Sequence, residues 1–319
     1  MTETLLAVRA RSGLVETMHH GAVAVADPDG ELVAMAGDID RPFYLRSAAK
    51  PFQAFVSQGA GASLAPVELA LAAASHRGHP VHVAIVESML ADAGLDESHL
   101  RCPPSWPLSE VAARRLVASG ERQPRPIWNN CSGKHAGFLR ACATSGWPVD
   151  SYLHPEHPLQ RGIVEFVTES SGHPAEPVGI DGCGAPVLRT TTRAMALLFA
   201  RLAVMEDMSE IFDTMHRYPS LVSSNGEGDA SIAVAANAAA KGGAQGCLGV
   251  AVGGRHGIAV KSWDGAMEVA VVGAIAALWK VGDLWPEAMR RLETLARPPV
   301  TGGGRVVGTV EPRLELALV

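Results

Sequence analysis

Residues 21–36, GAVAVADPDGELVAMA, form a pattern of two short apolar segments around a turn. The segments are Gly21–Ala26 and Glu31–Ala36, and both alternate in the manner of β-strands. Between them lies Asp27-Pro28-Asp29-Gly30, in which proline fixes one backbone dihedral and glycine permits the positive φ that a tight turn needs. This end of the chain therefore predicts an antiparallel hairpin.

The other end of the chain repeats the pattern. Cys247–Val252 and Gly257–Trp263 flank Gly253-Gly254-Arg255-His256, which predicts a second hairpin. Four further segments are strand candidates: Thr4–Ala10, Met267–Val272, Arg305–Thr309 and Leu314–Leu318. Strands are thus expected at both ends of the chain.

The middle of the chain is predicted to be helical. The segments that suit a period of 3.6 residues are Ser47–Gln58, Pro66–Ser75, Val81–Ala93, Leu108–Ala118, Ser132–Thr144, Leu159–Ser170, Val187–Val204, Met208–His216, Asp229–Ala240 and Pro286–Ala296. Only Val178–Ile180 interrupts them as an extended stretch. Because strands and helices do not alternate, a parallel doubly wound sheet is not expected.

These patterns predict an α+β fold in one domain spanning residues 1–319. A mainly antiparallel sheet is expected from about 1–46 and 247–319, flanked by helices, with a central helical lobe at about 60–245. A cleft between the sheet and this lobe is the expected site.

Composition excludes several classes of protein. The chain has 319 residues with 27 Lys+Arg against 33 Asp+Glu, so a general nucleic-acid binder is not expected. No apolar run reaches the ~18 residues that a membrane span requires. Met1–Ala10 shows no signal-peptide pattern, so the expected location is the cytoplasm. The five scattered cysteines do not form a disulfide framework and are either buried or part of a site.

The first chemical motif is Ser47-Ala48-Ala49-Lys50. A serine at the start of a helix with a lysine three residues later places both side chains on one face. A neutral lysine can take the serine proton and make Oγ a nucleophile. The pattern alone also fits an N-cap serine followed by a solvated lysine.

The second and third motifs contain cysteines beside turns. Trp128–Gly137 gathers Asn129, Asn130, Cys131, Ser132, Lys134 and His135 at a predicted helix start. Ile180–Pro186 contains Asp181 and Cys183 between glycines. The two cysteines could give two thiolates to a zinc ion, with Asp181, Lys134 or His135 completing the site. The alternative is a capped helix and a β-turn with buried cysteines.

Two further motifs are weaker in isolation. Ser75 and His76 lie in a polar loop between helices. Such a loop is an ordinary position for a second catalytic serine and equally for a residue that caps the next helix. Lys261 lies on a predicted strand and shares a face with Ala259, although a solvent-facing lysine is also common there. The nearby His79 precedes Pro80, so a histidine metal site is not expected.

Taken in order, five motifs resemble a known family. They are Arg46–Pro51, Ala74–His76, Asn130–Gly137, Asp181–Gly184 and Gly257–Lys261. Together they are similar to the Rhizobium etli type of L-asparaginase, in the asparaginase II family, over nearly the whole chain. The resemblance implies a fold similar to serine β-lactamases and glutaminases, hydrolysis of L-asparagine, and a homodimer.

The resemblance also implies roles for individual residues. Ser47 with Lys50 and Ser75 with Lys261 match two catalytic Ser–Lys pairs. Cys131, Lys134 and Cys183 match the zinc ligands, with Asp181 beside the metal and Arg46 near the site. His79 departs from the family pattern, in which an acidic residue often follows the glycine of this loop.

The implied chemistry is acyl transfer, with Ser47 favoured as the nucleophile because its lysine is one helical turn away. His76, Asn129, Asn130 and His135 are expected to line the site. The alternatives are a glutaminase, another amide hydrolase on the same scaffold, or a non-catalytic homologue that binds zinc or a metabolite.

Overall fold

The computed structural model describes residues 4–223 and 226–319. Expectations that concern residues 1–3 lie outside this part of the chain. None of the helices within it combines the length and the apolar character needed to cross a membrane.

Most of the strands belong to one antiparallel sheet. The strands are β1 Thr4–Arg11, β2 Leu14–Ala26, β3 Leu32–Ala36, β4 Phe43–Tyr44, β5 Gly179–Ile180, β6 Pro186–Val187, β7 Arg189–Thr190, β8 Ala238–Gly243, β9 Cys247–Val252, β10 Gly257–Ser262, β11 Pro299–Gly302, β12 Arg305–Pro312 and β13 Ala317–Leu318. The main sheet runs β11-β12-β1-β2-β10-β9-β8, with β3 on β2 and β13 on β3. The pairs β4–β7 and β5–β6 stand apart.

The helices fill the middle of the chain and cover the sheet. They are α1 Lys50–Ser57, α2 Pro66–Ala72, α3 Pro80–Asp92, α4 Glu110–Ala118, α5 Ser132–Ser145, α6 Pro158–Ser171, α7 Thr192–Leu202, α8 Ser209–Arg217, α9 Pro219–Val222, α10 Gly228–Ala236, α11 Met267–Lys280, α12 Pro286–Arg291 and α13 Glu293–Ala296. Short 3-10 turns join several of them, and one of these, Arg46–Ala49, leads directly into α1.

The two predicted hairpins are confirmed, and they meet at the centre of the sheet. Strand β2 pairs with β3 on one side and with β10 on the other, so the hairpins from the two chain ends become neighbours. This pairing aligns Lys261 of β10 with Ala22 of β2 and with Cys247 of β9. The expected α+β fold with an antiparallel sheet from both chain ends is therefore confirmed.

Each face of the sheet has its own apolar core. One face presents Ala22, Ala24 and Ala259 to α7, and small residues let this helix come close. A Cβ at Gly257 would lie 2.0 Å from the carbonyl oxygen of Ala196, so only glycine fits there. The other face presents larger β-branched side chains to α11. Lys261 shares the alanine face, which is the face of the central helices.

The strand prediction for Met267–Val272 is wrong, because this segment begins α11. Valines favour strands, yet the apolar run continues past Gly273 through Trp279, a length that suits a buried helix. Val269–Val272 are all buried, between the sheet and the helices that follow. A segment that is apolar on every side has no period from which to separate a buried helix from a buried strand.

The helix prediction for Asp229–Ala240 is too long at its C-terminal end. Helix α10 ends at Ala236, and Asn237 adopts a left-handed φ of 52°. The chain then turns into β8, which pairs with β9 as the edge of the main sheet. The sheet therefore begins its second set of strands at residue 238, before the expected position 247.

Candidate active site

Ser47 lies in the turn that connects β4 to α1. The chain reaches it through Arg46, whose φ of 51° is left-handed and uncommon for a residue with a Cβ. The Cys247 thiol holds the preceding turn by donating to the Leu45 carbonyl at 3.2 Å. Ser47 is half-buried, and within the described residues its Oγ makes no hydrogen bond. The hydroxyl is therefore available to a ligand.

Lys50 is the most constrained of the predicted catalytic residues. It is buried at the start of α1, and its Nζ donates to the Ala74 carbonyl, to Ser75 Oγ at 3.1 Å and to the Asn130 carbonyl at 3.3 Å. Burial lowers the pKa of Lys50 to about 8, and the ammonium groups of Lys241 and Lys134 act in the same direction. The structure thus brings together Lys50, Ser75 and Asn130 from three separate motifs.

The loop that carries Ser75 is ordered by His76. The Gly78 amide donates to His76 Nδ1 at 3.1 Å, so the ring proton lies on Nε2 and points to Ser132 Oγ, 2.8 Å away. Ser132 in turn donates to the Ile127 carbonyl. His76 is fully buried, and burial lowers its pKa well below the usual range. These contacts give His76 a role in fixing the loop.

His79, the departure from the family pattern, caps the helix that follows this loop. Its backbone amide donates to His82 Nδ1 at 3.1 Å, at the start of α3. The rings of His79 and His82 lie 5.5 Å apart. The ring of His82 is also 5.2 Å from that of His76. The position therefore belongs to a histidine cluster that includes His76, the residue after Ser75.

The two asparagines act through different atoms. Asn129 Oδ1 accepts from the Cys131 amide at 2.9 Å, and its Nδ2 donates to the Pro103 carbonyl. Asn130 uses its backbone carbonyl to receive Lys50. Together they shape the turn into α5 and connect it to Lys50.

Cys131, Lys134 and Cys183, the zinc ligands that the resemblance implies, lie near one another. Lys134 Nζ lies 3.1 Å from the Cys183 sulfur. The neighbouring Cys131 thiol lowers the pKa of Cys183 to about 5, against burial and with help from the Lys134 charge. Burial acts to lower the pKa of Lys134, but the two nearby cysteines outweigh burial and raise this pKa above its usual range.

The donor atoms of these three residues are compatible with a zinc ion. Two cysteine sulfurs and one amine nitrogen lie in a buried cluster. Zinc readily binds cysteine sulfur, and a deprotonated lysine amine is an unusual but compatible nitrogen ligand. Lys134 would have to lose a proton to serve as a ligand. In residues 4–223 and 226–319, no group of three His, Cys, Asp or Glu side chains could hold a metal. A site here would therefore depend on the lysine.

Asp181 and Arg46 connect this centre to Ser47. Arg46 Nε donates to Asp181 Oδ1 at 2.6 Å, and Asp181 Oδ2 lies 3.8 Å from the Cys183 sulfur. Burial acts to raise the pKa of Asp181, but Lys134, a backbone bond and Arg46 together lower it. The predicted nucleophile motif and the predicted metal motif are thus adjoining parts of one site.

Lys261 lies at the end of β10. Its Nζ donates to the backbone carbonyls of Gln245 and Ser262 and lies 5.4 Å from the centroid of the Trp263 ring. Burial lowers its pKa. Within the described residues no hydrogen bond joins Lys261 to Ser75, so their pairing stays a prediction.

Sequence reasoning missed Lys241, a third buried lysine. It lies on β8, where Nζ donates to the Gly242 carbonyl at 2.7 Å and is 3.8 Å from Asp229 Oδ2. Its charge helps to lower the pKa of Lys50. The available signal is a single lysine within an alanine- and glycine-rich run, one residue beyond the helix predicted over Asp229–Ala240.

The family profile of L-asparaginase II matches residues 7–312. The chain belongs to the L-asparaginase II family. Membership of this family supports an amidohydrolase. No curated protein sequence matches the chain.

Several solved structures resemble the chain at low identity. Mglu in its native form has a TM-score of 0.44 and 18% identity, covering 82% of this chain and 64% of Mglu. Mglu in its glutamate form has a TM-score of 0.46 and 18% identity, and the match covers 83% of this chain and 61% of Mglu. The probable glutaminase ybaS has a TM-score of 0.42 and 16% identity, and the match covers 82% of this chain and 85% of ybaS. The chain spans less than two thirds of these Mglu chains.

Proposed function

We propose that this protein hydrolyses L-asparagine to L-aspartate and ammonia by acyl transfer through a serine. The contact between Lys50 Nζ and Ser75 Oγ supports this most directly. Two N–H groups of the amine are engaged by the carbonyls of Ala74 and Asn130. When Lys50 is neutral, its lone pair is therefore directed at the Ser75 hydroxyl, which is the geometry of a general base.

In the proposed reaction Ser47 attacks the side-chain amide carbon. Its proton passes to the Lys50–Ser75 pair, and the tetrahedral intermediate collapses as the C–N bond breaks. The departing nitrogen takes a proton from the Lys50–Ser75 pair and leaves as ammonia. Water then attacks the ester on Ser47, releasing aspartate and restoring the hydroxyl. Lys261 is proposed as a second lysine that assists proton movement.

The Arg46–Asp181 pair is the proposed binding site for the charged end of the substrate. An amino-acid amide carries a carboxylate and an ammonium group on one carbon. A guanidinium and a carboxylate held 2.6 Å apart offer one partner to each. The pair is partly buried, which strengthens both interactions relative to water.

Zinc is proposed at Cys131, Lys134 and Cys183. When bound, the ion would supply a Lewis-acidic centre beside the substrate and hold the two loops together. The residues of this chain still perform the proton transfers, since Lys50 and Ser75 are already in contact. The family resemblance also supports a homodimer, which light scattering of the purified protein would test.

Ammonia release tests the proposed function. Purified protein is assayed with L-asparagine, L-glutamine and a chromogenic β-lactam, and the Ser47→Ala variant serves as the control. We expect turnover of L-asparagine and its loss in the variant. Preference for glutamine would make the protein a glutaminase, and binding of L-asparagine without ammonia release would make it a non-catalytic homologue.

A further inference from the structure

The segment that leads to Ser47 has two sides, because side chains alternate along an extended strand. Tyr44 turns toward the turn between β5 and β6, where a Cβ on Gly179 would lie 3.2 Å from Tyr44 Cζ. Phe43 turns the other way and meets Trp263 edge to face, with the ring centroids 6.3 Å apart. The site therefore has one side toward the β5–β6 turn and another toward the main sheet.

The two sides receive different parts of an amide substrate. Asp181 lies in the β5–β6 turn and accepts from Arg46, and this pair is the proposed binding site for the charged end of the substrate. The acyl part thus lies on the β5–β6 side of Ser47. A substituted amide is planar and trans, so whatever is attached to its nitrogen extends in the opposite direction. The leaving group therefore points toward the main sheet.

Lys261 stands at the inner end of the sheet side. It aligns with Cys247, whose thiol donates to the Leu45 carbonyl at 3.2 Å, two residues before Ser47. Trp263 follows Lys261 two residues later, roughly 7 Å farther along the extended chain. Its ring centroid lies 5.4 Å from Lys261 Nζ. The sheet side thus continues outward from the nucleophile by about the length of one amino-acid residue.

Arg41 lies at the outer end of this side. Its Cζ is 4.3 Å from the centroid of the Trp263 ring, so the indole orients the exposed guanidinium. In the part of the chain that the structure describes, the Arg41 amide donates to the Asp38 carbonyl, but its guanidinium has no acceptor. The neighbouring Asp40 is bound by Arg193 at 2.7 Å. An oriented guanidinium without an acidic partner suits a carboxylate.

These groups have no task if ammonia is the only leaving group. Ammonia carries neither a carboxylate for Arg41 nor a side chain for the half-buried rings of Phe43 and Trp263. An α-amino acid has both, attached to the carbon next to its nitrogen. The sheet side therefore matches a leaving group of one amino acid.

We propose that the substrates include β-aspartyl dipeptides, in which the aspartate side chain forms an amide with the amino group of a second amino acid. Arg41 is then a specificity-determining residue that binds the carboxylate of the second amino acid. Phe43 and Trp263 contact the side chain of that amino acid. This inference rests on the proposed function, because it uses the same nucleophile and the same binding site for the acyl part.

The reaction differs from the hydrolysis of L-asparagine only in the leaving group. Ser47 Oγ attacks the side-chain carbonyl carbon, and its proton passes to the Lys50–Ser75 pair. As the C–N bond breaks, the nitrogen keeps the electron pair, takes that proton and leaves as the amino group of the second amino acid. Water then cleaves the ester on Ser47 and releases L-aspartate, so water is the only co-reactant.

The first test is hydrolysis of β-L-aspartyl-L-phenylalanine by the purified protein, measured as free phenylalanine by chromatography. Ammonia release from L-asparagine is measured in parallel, with Ser47→Ala as the control for both. We expect both substrates to be hydrolysed and both activities to be lost in the variant. Hydrolysis of L-asparagine alone would refute this inference and leave the proposed function standing, whereas hydrolysis of neither would refute both.

The second test is Arg41→Gln, which removes the exposed charge. We expect KM for the dipeptide to rise roughly fivefold, the usual effect of one exposed ion pair, and KM for L-asparagine to stay the same. Arg115→Gln is the matched control, because Arg115 is exposed on α4 and the change in charge is identical. Unchanged KM for the dipeptide, or an equal rise for L-asparagine, would contradict the role of Arg41.

A modified substrate identifies the group that Arg41 binds. In β-L-aspartyl-L-phenylalaninamide an uncharged amide replaces the carboxylate of the second amino acid. The unsubstituted protein should bind this compound as weakly as Arg41→Gln binds the acid, and Arg41→Gln should cause no further loss. A similar rise in KM for the acid and for the amide would show that Arg41 does not recognise the carboxylate.

Discussion

Replacing Lys50 with methionine tests whether a buried, easily deprotonated amine supports the site. An ordinary lysine has a pKa of 10.5, whereas burial lowers the pKa of Lys50 to about 8. The difference of about 2.5 units corresponds to about 3 kcal/mol between the two protonation states. Between pH 8 and 10.5 the unfolded chain binds more protons at this position, so this group makes the folded protein more stable as pH rises.

We therefore expect the free energy of unfolding of the unsubstituted protein, relative to Lys50→Met, to increase by about 3 kcal/mol across that window. The variant also leaves the carbonyls of Ala74 and Asn130 without their donor, but that cost does not depend on pH. Chemical denaturation of both proteins from pH 7 to 11 measures the difference, and other titrating groups cancel in it. Lys280→Met is the control, because Lys280 is exposed at the end of α11.

Activity gives an independent measurement of the same group. We expect kcat/KM of the unsubstituted protein to rise through pH of about 8 as Lys50 loses its proton. Lys50→Met should lower kcat by a factor of roughly 10² to 10⁴, the usual contribution of a general base. A variant with the same pH-dependent stability as the unsubstituted protein, or with near-normal turnover, would refute this account of Lys50.

Three further predictions concern the second lysine, the metal and the sheet. Lys50→Met and Lys261→Met combined should be little slower than either alone, and losses in kcat that multiply would show separate steps. Cys183→Ala should lose any zinc found by elemental analysis and raise KM more than it lowers kcat; a zinc-loaded variant would exclude Cys183 as a ligand. Gly257→Ala forces a Cβ against the backbone of α7 and should lower the free energy of unfolding by at least about 1–3 kcal/mol in denaturant titrations. Gly59→Ala is the control, because a Cβ there meets open space. Equal stabilities of the two variants would contradict the packing.

Local patterns predict the sheet well where turn residues mark its strands. The hairpins around Asp27–Gly30 and Gly253–His256 form as expected, because proline and glycine specify the reversals. Prediction fails at Met267–Val272, because the consecutive buried residues Val269–Val272 show no period. It fails again at Asn237, because one left-handed residue separates α10 from β8 without a glycine or proline.

The site could be predicted as a set of residues but not as a set of contacts. The family resemblance implies that Cys131, Lys134 and Cys183 belong together, and in the structure Lys134 Nζ contacts the Cys183 sulfur. The bond between Lys50 and Ser75 depends on how α1 packs against the loop after α2, which no local pattern encodes. Lys241 affects the pKa of Lys50 only because tertiary packing brings β8 near α1.

The central claim is that a serine of this chain forms an ester with the substrate. The most direct measurement is peptide mapping by mass spectrometry after reaction with a slowly hydrolysed asparagine analogue, with Ser47→Ala and Ser75→Ala as controls. We expect one adduct, on Ser47, that is absent from the Ser47→Ala variant. An adduct on Ser75 would exchange the roles of the two serines, and an adduct on Cys131, or turnover without any adduct, would contradict the account.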